Sequence, residues 1–165
     1  MTKTVEMTTS QGAITIELDD EKAPESVKNF LAYAAAGHYD NTVFHRVIKG
    51  FMIQGGGFAP GMSQKPTQAA VTNEGKNGLK NAKYTLAMAR TSAPHSATAQ
   101  FFINTADNRF LDQDRAQDGW GYAVFGKVVS GQDVVDTIEQ VATGNRGGHG
   151  DVPREDVLIE RVVAR

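Results

Sequence analysis

Between positions 44 and 57 the chain reads Phe44-His45-Arg46-Val47-Ile48-Lys49-Gly50-Phe51-Met52-Ile53-Gln54-Gly55-Gly56-Gly57, which sets an arginine and a glutamine among large apolar side chains. A guanidinium stays charged at any working pH and presents several N–H donors in a rigid fork. Period-two alternation puts Arg46 on the opposite face from Val47. Taken alone, the segment predicts a pair of strands with Arg46 and Gln54 on a solvated face and Phe51 and Met52 partly in the core.

Other chemistries fit less well. The four histidines, His38, His45, His95 and His149, are scattered, and none forms the short His-x-x-x-His or His-x-His pair of a metal site, so no metal is expected. No Gly-x-Ser-x-Gly elbow is present for a serine hydrolase. The Gly55-Gly56-Gly57 run lacks the Lys-Ser/Thr that follows it in a phosphate loop, and predicts a flexible turn after a strand. With zero cysteines there is no thiol nucleophile, disulfide framework or Cys-ligated zinc.

The elements that must position these residues can be read from composition and periodicity. The 165 residues are 40% hydrophobic and 22% charged, ordinary values for one globular domain over 1–165 that needs no staple. Seventeen Lys+Arg against 19 Asp+Glu leave a net charge of −2, so no basic nucleic-acid footprint is present. No apolar run approaches the ~20 residues of a membrane span, and the N-terminus has no signal-peptide pattern. A soluble, cytoplasmic protein is expected.

Val5 and Met7 alternate with Glu6 and Thr8, and Ile14, Ile16 and Leu18 with Thr15 and Glu17, about a turn at Ser10-Gln11-Gly12. This is a β-hairpin pattern. Val27, Phe30, Leu31 and Ala34 then share one helical face between Pro24 and Gly37. Strands are expected over 42–53 with a break at Lys49-Gly50, and over 85–89, 100–104, 124–129 and 157–163. The Gly/Gln/Asn/Lys-rich stretch 55–81 is expected to be disordered or a functional surface loop. A second helix is predicted over 133–141, capped from Ser130, and 144–150 is expected to be a loop. Many short strands around two separated helices predict a closed or sandwich-like antiparallel sheet with helices at its ends.

A second group of residues narrows the function. Leu86-Ala87-Met88-Ala89-Arg90-Thr91 is followed by Gln100-Phe101-Phe102-Ile103-Asn104, by Phe110-Leu111-Asp112 and by Tyr122-Ala123-Val124-Phe125-Gly126-Lys127-Val128. With the 44–57 segment, in this order and separation, they resemble the cyclophilin family of peptidyl-prolyl cis-trans isomerases, above all its compact bacterial cytoplasmic members. The resemblance covers essentially the whole chain.

It implies a mainly β fold, a closed eight-stranded antiparallel β-barrel capped by two α-helices, with a groove on the outside of a packed barrel. Carried over by motif, the resemblance implies Arg46, Phe51 and Gln54 as catalytic residues. It implies Met52, Ala89, Arg90, Thr91, Gln100, Phe102, Phe110, Leu111 and Tyr122 as substrate-binding residues. In this picture Arg46 donates to the prolyl nitrogen of a twisted X-Pro amide while an apolar pocket holds the ring. No cofactor or metal is implied. The implied partners are proline-containing peptides and folding proteins, met by a monomer. Phe110 stands where a Trp is common and Tyr122 where a His is common, so cyclosporin-type inhibitors are expected to bind weakly. Trp120 lies nearby but outside the register of that Trp. Two other readings stay open: a proline-peptide binding module or holdase without turnover, and a purely structural barrel.

Overall fold

The alternation of the first 18 residues becomes two strands, β1 (Lys3–Thr9) and β2 (Gly12–Leu18), whose inward residues Val5, Met7, Ile14, Ile16 and Leu18 are fully buried. The computed structural model describes residues 3–165. Helix α1 (Pro24–Ala35) follows, then β3 (Thr42–Ile48), β4 (Met52–Gly55), a small hairpin of β5 (Phe58–Ala59) and β6 (Ser63–Gln64), β7 (Thr85–Met88), β8 (Phe101–Asn104) and β9 (Val124–Ser130). Helix α2 (Gln132–Glu139), β10 (Thr143–Arg146), β11 (His149–Pro153) and β12 (Leu158–Ala164) complete the chain. Eight strands close into an antiparallel barrel in the order β1-β12-β3-β4-β8-β7-β9-β2. Closure leaves no edge of the barrel sheet unpaired and a solid interior of side chains, so ligands must be met on the outside.

The buried face of α1 runs through Ser26, Val27, Phe30 and Tyr33, while Leu31 and Ala34 pack at its margin. Phe30 sits at the centre of an aromatic cluster, 5.0 Å from Tyr39, 5.6 Å from Phe101 and 5.4 Å from Phe125 between ring centroids. No side chain at Ala23 caps this helix. The Glu74 carboxylate does so from 48 residues away, accepting the amides of Ser26 at 2.7 Å and Glu25 at 3.2 Å. An anion there satisfies orphan N–H groups and meets the positive end of the helix dipole.

Several expectations are corrected. The 55–81 stretch is ordered and pinned: Lys65 donates through Nζ to the carbonyls of His38 and Asp40, Gln68 N–H to the Tyr33 hydroxyl, and Val71 bridges Ala97. The glycine run is close-packed, not a flexible turn. A Cβ at Gly56 would lie 2.8 Å from the Tyr39 ring, and one at Gly57 2.5 Å from Gln100. Ser130 ends β9 and does not cap α2; Gly131 occupies the N-cap at φ 88°, where a Cβ would lie 2.4 Å from the Ala13 carbonyl. Residues 144–150 are not a loop but most of the β10–β11 hairpin, turning at Gly147 and Gly148 with φ of 56° and 81°. Two consecutive positive φ angles fit a two-residue hairpin turn, which the apolar pattern did not reveal.

Candidate active site

The site arises from two adjacent cross-strand rows. Val47, Ile53, Ile103 and Leu86 are register partners across β3, β4, β8 and β7, and all four point into the barrel. The next row, Arg46, Gln54, Phe102 and Ala87, points outward because side chains alternate at period two. A bulge between Phe44 and Arg46 sets this register by leaving His45 as the extra residue. Met52, two positions before Gln54, joins the outer row, and Phe102 and Ala89 extend the apolar floor toward Leu111 and Tyr122.

Nine of the twelve predicted residues line one cavity of about 110 Å³: Arg46, Phe51, Met52, Gln54, Ala89, Arg90, Phe102, Leu111 and Tyr122. The other three stand around it. Gln100 accepts the Gln54 side-chain amide at 2.9 Å and fixes its orientation from behind. Thr91 bonds Ser96 through its hydroxyl at 2.9 Å and shapes the following turn, outside the cavity. Phe110 stacks on Phe51 at 5.7 Å with 61% of its surface exposed, forming a ledge beside the opening.

The two arginines of the cavity differ in state. Arg90 is fully engaged: Nε donates to the Gly121 carbonyl at 3.0 Å, an ion pair joins it to Asp118 at 2.6 Å, and its guanidinium lies 4.6 Å over the Tyr122 ring. It clamps the 116–122 segment and turns Tyr122 toward Phe102, 5.6 Å away edge-on. The Asp118 carboxyl is held below the usual carboxylate range by the amides of Trp120 and Gly121, with Arg90 adding to the effect. Arg46 is exposed and its guanidinium has no hydrogen bond or ion pair among the described residues.

A buried polar network fixes the remaining walls. Asn108 donates to the Phe51 carbonyl at 2.8 Å and to Asn104 at 2.7 Å; Asn104 donates to Asn81 and Thr85. Asn81 gives its backbone N–H to Asp112 at 2.6 Å and its side-chain amide to the Tyr122 carbonyl at 3.3 Å. One network therefore ties down Phe51, the turn carrying Leu111, and Tyr122. None of the asparagines of this network was among the site residues expected from the sequence. Their signal, several asparagines in segments that otherwise supply core strands, becomes meaningful only when they are seen to be buried together.

His45 stays neutral at working pH. Burial lowers its pKa to about 4, and electrostatic interactions with His149 and Arg46 act in the same direction. Its ring lies 4.5 Å from Phe58, which in turn meets His149 at 5.4 Å. Trp120 packs on His95 at 4.5 Å beneath Lys76 and does not line the cavity. Among the described residues no cluster of three potential metal ligands occurs, and no helix is long and apolar enough to cross a membrane.

The architecture thus defines a class: a closed antiparallel barrel whose outer face offers a small apolar pocket beside an unengaged guanidinium. Comparison with known proteins assigns the family. Residues 4–164 match the family described as cyclophilin type peptidyl-prolyl cis-trans isomerase. The chain is 63% identical to peptidyl-prolyl cis-trans isomerase B of Escherichia coli K12 over 155 residues, covering 93% of this chain and 94% of that one. It is 61% identical to peptidyl-prolyl cis-trans isomerase cyp18 of Streptomyces antibioticus over 158 residues, 95% of each chain. A crystal structure of a Cryptosporidium parvum cyclophilin type isomerase in the presence of the dipeptide Ala-Pro has TM-score 0.84 at 30% identity, covering 98% of both chains. The chain belongs to the cyclophilin-type peptidyl-prolyl cis-trans isomerases.

Proposed function

We propose that the chain, as one domain over 1–165, accelerates rotation about X-Pro bonds in peptides and folding proteins, with Arg46 as the donor to the prolyl nitrogen. Resonance holds the amide planar behind a barrier near ~18–20 kcal/mol, and no bond need be made or cut to cross it. At the twisted state the nitrogen regains its lone pair. A fixed donor aimed there stabilises the twisted form more than either planar form, which is the requirement for catalysis.

The observation that carries this reading is the contrast between the arginines: Arg90 is committed to the fold, whereas Arg46 projects beside Gln54 and Phe102 with its donors unspent. Phe51, Met52, Phe102 and Leu111 would hold the proline ring. The Ala89 amide already donates to Gln100 at 3.1 Å, but the Ala89 carbonyl and the Arg90 amide take no hydrogen bond among the described residues and would fix the peptide beside the proline. Lowering the barrier by ~7 kcal/mol gives on the order of 10⁵-fold acceleration. The relative solved in the presence of Ala-Pro supports a proline-containing substrate. A monomer acting in the cytoplasm completes the proposal.

The test is cis-trans exchange in a short Ala-Pro peptide followed by NMR, with wild type and Arg46→Ala. Fast exchange with wild type, and turnover lowered by about 10²-fold in the variant with little change in peptide affinity, is the expected result. Peptide binding by wild type without faster exchange would make the protein a proline-binding module instead.

A further inference from the structure

The proline pocket opens at one rim into a second groove of about 340 Å³, formed by Phe110, Leu111 and Tyr122 on one side and Ala116, Gln117 and Asp118 on the other. The two cavities share Arg90, Leu111 and Tyr122, so one peptide can occupy both. We propose that this groove is a subsite for a large apolar, preferably aromatic, side chain flanking the proline of the substrate; this rests on the function proposed above.

Three observations support that occupant. The ledge is apolar and accessible: among the described residues Phe110 is the one aromatic of the exposed large hydrophobics, and its stacking on Phe51 presents a ring face at the opening. A second ring can settle there at offset-stacked or edge-on geometry. The facing charges are spent, because Asp118 accepts from Arg90, Trp120 and Gly121. The groove therefore offers no unpaired carboxylate or guanidinium to select a charged residue. Its outer wall is built in advance: Gln113 donates to the Gly119 carbonyl at 2.9 Å, Tyr122 N–H to the Leu111 carbonyl at 3.0 Å, and Arg90 fastens the segment to the end of β7. A preformed wall spares the ordering cost that a loose loop would impose on binding.

The experiment measures kcat/KM by NMR exchange for an Ala-Pro peptide with alanine flanks and for matched peptides carrying phenylalanine, leucine or glutamate one or two positions to either side. Wild type is compared with Ala116→Trp, which fills the groove from a residue outside the proline pocket, and with Phe110→Ala. In wild type, phenylalanine at one of these positions is expected to raise kcat/KM by about tenfold over alanine, leucine by less and glutamate not at all. Ala116→Trp should erase this preference while turning over the alanine peptide within about twofold of wild type. Equal rates for the phenylalanine and alanine peptides in wild type, or a preference untouched in both variants, would overturn the subsite. Peptide-induced NMR shifts on Phe110 and Ala116 separate this from the proposed function: shifts specific to the phenylalanine peptide without exchange would retain the subsite and refute the isomerase.

Discussion

His45 offers a quantitative check on how the site is held. In an unfolded chain its imidazole titrates near 6.5, whereas in the folded protein burial lowers the value to about 4. Well above pH 6.5 it is neutral in both states and stability is unaffected. As pH falls from 6.5 toward 4 the unfolded chain takes up a proton that the folded one refuses, so stability is lost across that window. At pH 4.5 the two values give a loss of roughly 2.5 kcal/mol, rising to about 3 kcal/mol once both states are protonated. His38, whose pKa burial also lowers, adds a loss of the same sign, so the wild type alone does not isolate His45. His45→Leu does, because leucine has similar volume, suits the contact with Phe58, and removes a ring whose Nδ1 is buried without a partner. Urea unfolding at pH 7.5 and 4.5 should show the wild type losing roughly 2.5 kcal/mol more than His45→Leu between those pH values. Equal losses in the two proteins would refute the buried neutral histidine. Between pH 6 and 8 the folded His45 does not titrate and the proposed mechanism moves no proton, so turnover should be flat there.

Other outcomes follow from the same geometry. Asn108→Ala strips the donor from the Phe51 carbonyl and from Asn104, and should cost about 2–4 kcal/mol in urea unfolding while lowering kcat of the remaining folded protein. Glu74→Ala removes the remote cap of α1 and should cost about 1 kcal/mol, read as a fall in Tm of about 2–4 °C. Phe110→Trp adds an indole N–H at the ledge and should tighten a cyclosporin-type inhibitor by about tenfold in a competition assay; unchanged inhibition would refute the expectation that Phe110 weakens binding.

Local pattern was sufficient for the barrel strands and both helices. Alternation over 5–18 and the 3.6-residue spacing from Val27 are properties of neighbours in the chain, as is the opposition of Arg46 to Val47. The motifs also placed nine residues that do line one cavity. The β10–β11 hairpin and the Gly131 cap of α2 were local misses, but the others depended on partners far away in sequence. Whether Arg90 is a free donor or a clamp depends on Asp118 and Gly121, and the cap of α1 on Glu74. The tight glycines at 56 and 57 answer to Tyr39 and Gln100. The asparagine network joins residues 81, 104, 108 and 112 only because β7, β8 and the Leu111 turn converge. By itself, then, the sequence determined which faces are apolar and which residues stand opposite one another on a strand, since backbone periodicity is local. Which polar groups remain unspent, and are thus free to meet a substrate, was decided only by the closed barrel, since hydrogen-bond satisfaction depends on what folding brings within 3 Å or so.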